Sequence, residues 1–277
     1  MKTLNKKPVI GITGYKGVLG SYFIKKYSKK FNFKKYKNDI SDFNKLRGWY
    51  KKNKPEYFLH FAAKVPISYV EKNYLISKKT NLQGTRNLVK LIKNDINLKW
   101  FFFSSSSHVY KKSKKKLNEN SKTEMNNKYS KTKLLAEKEL LKIKNKKICI
   151  GRIFSFTDKN QSKLFVIPSI FTQIKNNKNQ IFFDFNSKRD FIHIDDICNA
   201  INFLMFKKAQ GIYNIGSGKS SKIIEIAKFF SKKLKKNILI KKSKLIKIDI
   251  LTSDISKIKK FGWYPKIKFK KILIDYY

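Results

Sequence analysis

A tyrosine and a lysine stand four residues apart near the middle of the chain, at Tyr129 and Lys133. Residues with this spacing lie on one face of a helix, where a lysine ammonium can lower the pKa of a neighbouring phenol towards neutrality. Such a phenol can move a proton to or from a substrate oxygen. The serine-rich run Ser104–Ser107 follows an apolar segment, with Ser106 lying 23 residues before Tyr129, and a hydroxyl from this run can orient the same oxygen. The tyrosine, the lysine and one of these hydroxyls predict an acid–base site.

The Tyr-x-x-x-Lys spacing decides little by itself, because lysine is abundant in this chain. The spacing occurs at six of the fourteen tyrosines. Tyr129 is distinguished by its position, since it alone opens a predicted amphipathic helix downstream of the serine-rich segment. The alternative for Ser106, a serine that caps a turn and has no chemical role, stays open at this point.

Four of the eleven glycines fall within ten residues near the start of the chain, at Gly11, Gly14, Gly17 and Gly20. They follow an apolar run and precede a helical pattern. A strand, a glycine-rich turn and a helix start bring a dinucleotide pyrophosphate against the N–H groups of a helix N-terminus. We expect a side chain at Gly14 or Gly17 to block that approach. One at Gly20 would push the helix off its strand.

Apolar runs alternate with amphipathic segments through the first 155 residues, which predicts parallel strands joined by helices. The predicted strands are Val9–Thr13, Phe31–Tyr36, Tyr57–Ala62, Lys99–Ser104 and Lys147–Ile153. The predicted helices of this part are Gly17–Lys30, Asp42–Lys52, Ser77–Ile92 and Tyr129–Ile143. Further helices are predicted near Phe165–Lys175, Asp195–Lys207 and Ile223–Leu234. We therefore predict an α/β fold with a doubly wound parallel sheet in residues 1–155 and a smaller α/β substrate lobe in residues 156–277, with some chain crossing between them.

The formal net charge of +47 would suit a nucleic-acid partner, but the composition argues against specific binding. Only four of the 65 basic residues are arginine, the residue that favours bidentate phosphate and guanine contacts. The lysines are also spread along the whole chain.

No apolar run has the length of a membrane span and the Met1 end has no apolar leader, so we expect a cytoplasmic protein. His193 with Asp195 and Asp196 is better explained by a helix N-cap than by a metal site, and we expect no metal.

Several motifs in order resemble the extended short-chain dehydrogenases/reductases that act on nucleotide sugars. They cover nearly the whole chain. They are Thr13–Gly20 (Thr-Gly-x-x-Gly-x-x-Gly), Asp39-Ile40, His60–Ala63 (His-x-Ala-Ala), Asn81–Thr85 (Asn-x-x-Gly-Thr), the serine strand with Tyr129-x-x-x-Lys133, Arg189–Asp196, Tyr213–Gly218, Asp254–Lys257 and Gly262–Pro265.

The resemblance implies a Rossmann-type domain and roles for particular residues. It implies a catalytic triad of Ser106, Tyr129 and Lys133. It implies that the dinucleotide is bound by Gly14, Tyr15, Gly17, Val18, Leu19, Gly20, Asp39, Ile40, Ala62, Ala63 and Lys64, together with Tyr129 and Lys133 of the triad. It implies that Ser107, His108 and Arg189 contact the substrate, with Arg189 at the sugar-nucleotide diphosphate.

Departures from the family pattern narrow the reaction that the resemblance implies. The 4,6-dehydratases of the family carry Asp-Glu directly after the active hydroxyl, where this chain has Ser107 and His108. The favoured reaction is therefore reduction of a nucleotide-linked 4-keto-6-deoxyhexose, and the alternative is a 4-epimerase with tightly bound NAD. The second predicted strand ends in Lys34–Lys37, which include no acid for the adenosine ribose, and lysines there suit the 2′-phosphate of NADP. The sequence leaves NAD and NADP both open.

Two further expectations concern partners. The resemblance implies a homodimer, in which Asn81–Lys93 and Tyr129–Lys142 pack with the same helices of a second copy. The chain could instead be a dinucleotide- or RNA-binding module that has kept the fold and performs no reaction. The intact triad weighs against that alternative.

Overall fold

The computed structural model of the 277-residue chain describes residues 7–144, 147–176, 180–184, 187–242 and 250–277. The chain divides into two compact units. The first unit comprises Met1–Val109, Glu124–Gly151 and Ile201–Ile212, and the second comprises Tyr110–Thr123, Arg152–Ala200 and Tyr213–Tyr277. No helix among the described residues is both long and apolar enough to cross a membrane.

A six-stranded sheet has the order β2-β1-β3-β4-β5-β8. Its strands are β1 (Val9–Thr13), β2 (Asn32–Lys35), β3 (Tyr57–His60), β4 (Trp100–Ser106), β5 (Ile148–Ile153) and β8 (Gly211–Ile215). Pairing is parallel between β1 and β2, β1 and β3, and β3 and β4. The order of strands reverses between β1 and β3, and in open α/β sheets ligands bind at the carboxyl ends of the strands at such a reversal.

Helices of the first unit follow the strands as predicted, with one addition and one interruption. They are α1 (Val18–Tyr27), α2 (Phe43–Asn53), α3 (Ile67–Lys72), α4 (Tyr74–Lys78), α5 (Gly84–Ile92) and α6 (Lys128–Leu141). The sequence pattern missed α3. The helix predicted over Ser77–Ile92 begins earlier, as α4, and contains a π-helical turn at Lys79–Gln83 before it continues as α5.

Aromatic side chains fill the core of the first unit. Phe101, Phe102 and Phe103 are consecutive on β4 and all fully buried, so both faces of the sheet are covered. The ring of Phe58 stacks on Phe101 with centroids 5.5 Å apart. The Trp100 indole nitrogen donates a hydrogen bond to the Ala209 carbonyl oxygen at 2.8 Å. This close-packed core fixes the carboxyl ends of β1, β3 and β4.

The second unit contains two small sheets. A parallel pair joins β6 (Gln180–Asp184) and β10 (Ile238–Lys242), and a three-stranded sheet has the order β11 (Ile250–Leu251), β7 (Lys188–Asp190), β9 (Ser220–Lys222). The remaining helices of the chain are α7 (Val166–Asn176), α8 (Ile194–Phe206), α9 (Ile223–Leu234), α10 (Ser256–Lys260) and α11 (Phe269–Tyr276). Phe171 packs its ring edge-on against both Phe230 and Tyr276, with centroids about 5 Å apart. Helix α8 contributes residues to both units, because the first unit includes the helix from Ile201 onwards.

Candidate active site

The glycine loop joins β1 to α1 and leaves the start of that helix open to an anion. The Gly17 N–H donates to the Gly14 carbonyl oxygen at 3.0 Å, and Gly17, the N-cap of α1, has no side chain to satisfy the first helical N–H groups. Gly14 has a φ of 71°, and a Cβ there would lie 2.5 Å from the Ala62 nitrogen. A dinucleotide pyrophosphate fits this bare backbone.

Two of these glycines are required for a reason that the sequence did not reveal. A Cβ on Gly20 would meet the Gly14 carbonyl oxygen at 2.3 Å, so the collision is with the loop itself. A Cβ on Gly14 would collide with the segment after β3. By contrast, the nearest atom to a Cβ on Gly17 is the Gly14 carbonyl oxygen at 3.3 Å. No protein group in the described part of the chain therefore fills the space beside Gly17, and a dinucleotide pyrophosphate would occupy that space.

The segment predicted to bind the adenosine follows β2. Asp39 accepts a hydrogen bond from the Ser41 N–H at 2.9 Å, and Asn87 donates to the carbonyl oxygens of Ile40 and Ser41 at 3.1 and 2.9 Å. Asp39 is exposed, whereas the Ile40 side chain is buried. These bonds fix the backbone of this turn from α5.

The segment after β3, which holds Ala62, Ala63 and Lys64, is held by one asparagine. The Lys64 N–H donates to Asn81 Oδ1 at 2.7 Å, and Asn81 Nδ2 donates to the Lys64 carbonyl oxygen at 3.2 Å. Asn81 lies in the π-helical turn, a local distortion that is frequent at functional sites. Its amide also donates to Thr132 Oγ1 on α6 at 3.2 Å. Asn81 thus joins the segment after β3 to the helix that carries Tyr129.

A buried histidine extends this network to β1. The His60 ring nitrogens lie 2.8 Å from Thr13 Oγ1 and 3.0 Å from Thr85 Oγ1, and Thr85 donates to the Asn81 carbonyl oxygen at 2.8 Å. Burial lowers the pKa of His60 to about 3, and the charge of Lys133 acts in the same direction. His60 is therefore neutral and structural, and we assign it no proton transfer.

Tyr129 and Ser106 meet at the carboxyl end of β4. Helix α6 begins just before Tyr129 because Asn127 and Ser130 form a capping box, with the Ser130 N–H donating to Asn127 Oδ1 at 2.8 Å. The Ser106 side chain lies close enough to the Tyr129 phenol to act on its pKa. Ser106 Oγ also accepts from the His108 N–H at 3.2 Å. The ring of His108 lies edge-on to Tyr129, with centroids 6.3 Å apart.

Burial raises the pKa of Tyr129 to about 12, while the Ser106 side chain acts in the opposite direction. The expectation that Lys133 brings this pKa towards neutrality is therefore wrong for the protein without ligand. The physical reason is that the desolvation cost of a phenolate exceeds the stabilisation that its neighbours supply. Tyr129 is a protonated phenol at neutral pH.

Lys133 lies one helical turn after Tyr129 and is itself buried. Its Nζ donates to the Ser104 carbonyl oxygen at 2.7 Å and lies 4.7 Å from the centre of the Phe103 ring. Burial lowers the pKa of Lys133 to about 7, and the charge of Glu137 opposes that change.

Ser107, which is predicted to contact the substrate, lies in the 3₁₀ turn Ser107–Val109 that follows β4, and it is buried.

Arg189 lies on β7 in the second unit, and its predicted contact with a diphosphate stays a prediction. Its guanidinium donates to the Lys188 carbonyl oxygen at 2.9 Å. The neighbouring Asp190 is fully buried and accepts hydrogen bonds from the N–H groups of Ser217, Gly218 and Ser253 and from the hydroxyls of both serines. These bonds fix the strand on which Arg189 lies. Within the described ranges, no three His, Cys, Asp or Glu side chains are grouped to hold a metal ion.

Seven buried polar residues that build this site were given no role of their own by sequence reasoning. Four of them belong to the motifs named above, Thr13, His60, Asn81 and Thr85. The other three, Asn87, Thr132 and Glu137, were missed. The position of Glu137 could have identified it from the sequence. It falls on the apolar face of α6, between Lys133 and Leu140, where a buried carboxylate needs a hydrogen-bonding or charged partner.

Comparison with known proteins places this site in a family. The profile of the NAD dependent epimerase/dehydratase family matches residues 10–216. The UDP-glucose 4-epimerase of Mycoplasma genitalium is 30% identical over 269 residues, which cover 84% of this chain and 78% of that protein. The GDP-6-deoxy-D-mannose reductase of Pseudomonas aeruginosa is 26% identical over 185 residues, 62% of this chain and 61% of that protein.

Solved structures show the same fold. The complex of the Thermus thermophilus UDP-glucose 4-epimerase with NAD has a TM-score of 0.85 at 15% identity and covers 97% of this chain and 98% of its own. RMD from Pseudomonas aeruginosa, complexed with NADPH, has a TM-score of 0.85 at 21% identity, with coverage of 98% and 97%. These similarities confirm the predicted Rossmann-type α/β fold. The family whose profile matches the chain is NAD dependent, in agreement with the predicted NAD(P) cofactor.

Proposed function

Because the chain belongs to the NAD dependent epimerase/dehydratase family, we propose that it reduces a nucleotide-linked 4-keto-6-deoxyhexose at C4 with NADPH. The first unit would bind the dinucleotide, and the second would bind the nucleotide sugar, with Arg189 at its diphosphate. The family supports an NAD(P)-dependent enzyme acting on nucleotide sugars. The choice of reductase is our own step beyond it.

The residues at the end of β2 support NADPH as the cofactor, and therefore a reductase. The strand ends at Lys35, and the next residue, Tyr36, is buried with its hydroxyl donating to the Asp39 carbonyl oxygen at 3.0 Å. Lys35 and Lys37 are exposed on either side of Tyr36. An NAD-binding site usually places a carboxylate near this position, where two lysines would instead attract the 2′-phosphate of NADP. NADPH is a reductant that exchanges at each turnover, as a reductase requires.

The proposed mechanism assigns one task to each triad residue. When bound, the dinucleotide supplies the hydride that is added to C4 of the sugar. Tyr129 donates its phenolic proton to the C4 oxygen, so that the ketone becomes a hydroxyl. Burial suits Tyr129 to this role because the high pKa keeps its proton in place until the oxygen becomes basic. Ser106 hydrogen-bonds the same oxygen, and Lys133 donates to the hydroxyls of the dinucleotide ribose.

Ser107 and His108 stand where the family's 4,6-dehydratases carry a carboxylate pair, and this supports the exclusion of dehydration. We propose that His108 faces the sugar, since its ring is partly exposed and lies beside Tyr129. We also propose a homodimer formed by the α5 and α6 faces. Leu141 on α6 is 49% exposed, and an apolar partner surface would cover it.

A 4-epimerase is the second candidate, and the 30% identity to the Mycoplasma genitalium UDP-glucose 4-epimerase favours it. An epimerase keeps its NAD bound and returns the hydride to the opposite face of C4. The two functions therefore differ in the cofactor that survives purification. Freshly purified protein is denatured, and any released dinucleotide is identified by mass spectrometry. Stoichiometric NAD would overturn the reductase in favour of the epimerase, whereas an empty site or partial NADPH would support the reductase.

The triad is tested by Tyr129→Phe, which removes the phenolic proton and keeps the ring. We expect kcat to fall by about 10²–10⁴-fold while NADPH binding is retained. Tyr264→Phe is the matched control, because Tyr264 has the same spacing to a lysine, Lys268, but is 57% exposed. Its turnover should equal that of the wild type. Turnover of Tyr129→Phe at the wild-type rate would refute the triad. NADPH binding by a wild type that turns over no nucleotide sugar would favour the binding-module alternative.

A further inference from the structure

One buried carboxylate next to the triad has no role in the mechanism above. Glu137 lies on α6 one helical turn beyond Lys133 and is 1% exposed. A carboxylate this deeply buried destabilises the fold unless its charge is compensated. The contacts around Glu137 therefore indicate both what compensates its charge and what the carboxylate does.

Glu137 and Lys133 are both fastened to β4, at consecutive residues. Lys133 Nζ donates to the Ser104 carbonyl oxygen, and the Ser105 hydroxyl donates to Glu137 Oε1. Ser105 is itself buried. Because α6 places residues four apart on one face, the ammonium and the carboxylate approach the end of β4 side by side.

Among the residues that the structure describes, the remaining groups named here around Lys133 supply no other negative charge. His60 on β3 is neutral, and Tyr129 on α6 keeps its proton, with His108 of the 3₁₀ turn lying against its ring. The ion pairs of α6 with its neighbouring helices, Arg86–Glu139 with α5 and Lys128–Glu71 with α3, each join an exposed basic side chain to a partly buried glutamate. Of the charged groups in the part of the chain that the structure describes, Glu137 is the one that stabilises the Lys133 ammonium.

We propose that Glu137 is a positioning residue: anchored on Ser105, its carboxylate keeps Lys133 in the ammonium form that holds the dinucleotide ribose. The proposal rests on the proposed role of Lys133 and not on which reaction follows at the sugar. Without the carboxylate, burial alone acts on Lys133, and its proton is lost at a lower pH. Dinucleotide affinity then weakens within the neutral range.

The test is the pH dependence of NADPH binding, measured by the fluorescence of the bound dinucleotide from pH 5 to 9. Wild-type affinity should weaken as the pH rises through the Lys133 pKa of about 7. In Glu137→Gln the midpoint of this pH dependence should move about one to two pH units lower. A nearby opposite charge in a partly polar interior shifts a pKa by about this amount. The two curves should converge at high pH, where Lys133 is neutral in both proteins.

Glu139→Gln is the matched control, because it removes the same charge from the same helix, where Glu139 is partly buried and pairs with the exposed side chains of Arg86 and Lys142. Its midpoint should coincide with the wild type. Ser105→Ala keeps the carboxylate but removes its anchor, and it should move the midpoint in the same direction by a smaller amount. This second variant also tests the proposal if Glu137→Gln does not fold.

Three results separate the possible failures. An unchanged midpoint in Glu137→Gln, or in Ser105→Ala if Glu137→Gln does not fold, would overturn the proposal. A uniform loss of affinity at every pH would also overturn it, because damage to the fold acts in that way and loss of a counter-charge does not. Absence of NADPH and NADH binding by the wild type would instead overturn the proposed function.

Discussion

Alanine at Gly20 would place its methyl carbon 2.3 Å from the Gly14 carbonyl oxygen and 3.0 Å from the Tyr15 Cα atom. Both atoms belong to the backbone of the glycine loop, so no flexible side chain can move aside. The loop must retreat by about 1 Å to restore van der Waals contact. Gly14 cannot follow freely, because it is closely packed against the Ala62 backbone.

Overpacking of this kind costs about 1–3 kcal/mol, which for a chain of this size lowers the melting temperature by about 2–5 °C. Gly48→Ala is a control of opposite sign. Gly48 lies inside α2, where a methyl carbon would have no atom within 4 Å, and alanine there gains about 0.5–1 kcal/mol of helix stability. Gly17→Ala separates folding from binding. It should stay within about 1 kcal/mol of the wild type, but weaken NADPH binding about tenfold or more because the methyl meets the pyrophosphate.

The assay combines thermal unfolding by circular dichroism with NADPH titration of each folded variant. The reasoning about the loop fails if Gly20→Ala melts at the wild-type temperature, or if Gly48→Ala melts below it. The assignment of the loop to the pyrophosphate fails if Gly17→Ala binds NADPH as tightly as the wild type.

Two further predictions concern buried ionisable groups. His60 has a pKa of about 3 when folded and about 6.5 when unfolded, so its contribution to stability is complete above pH 6.5 and is lost as the pH falls. Between pH 6.5 and 5 the free energy of unfolding of the wild type should therefore fall by about 2 kcal/mol more than that of His60→Asn. Urea unfolding at each pH measures this difference. Equal decreases in the two proteins would contradict the neutral state of His60. Asp190→Asn should destabilise the protein by about 2 kcal/mol or more, because all five of its partners donate hydrogen bonds and the new amide would face donors. A melting temperature equal to that of the wild type would show that these bonds contribute little.

The parts of the fold that repeat a simple period could be predicted from the sequence. Strand β1 begins and ends where the apolar run does, and Ile223–Leu234 is a helix over the predicted residues. Helix α3 was missed because it is only six residues long, too short for a helical period to stand out. The π-helical turn at Lys79–Gln83 was also missed, since it depends on the tertiary contacts of Asn81 and not on local propensity.

The candidate site divides in the same way. Ser106 and Tyr129 were assigned to one site from the resemblance and the order of the motifs, and in the structure Ser106 lies close enough to the Tyr129 phenol to act on its pKa. The pKa of Tyr129 was predicted in the wrong direction, because a sequence shows which charges are near in the chain but not how completely water is excluded. Glu137 and Asn81 bond to side chains 32 and 51 residues away, and such pairings form only once the strands and helices are packed.

The hydrogen bonds around His60 have a directional consequence. Thr85 gives its hydroxyl proton to the Asn81 carbonyl oxygen, so its oxygen can only accept from His60, and the ring must carry its proton on Nε2. A neutral ring then presents a bare Nδ1, which the Thr13 hydroxyl must face with its proton. The other tautomer would set a bare nitrogen against the Thr85 oxygen. The hydroxyl protons of Thr13 and Thr85 and the ring proton of His60 therefore each have one position. All three hydrogen bonds point from the end of β1 towards the π-helical turn, and the bond from Thr85 to the Asn81 carbonyl oxygen sets this direction.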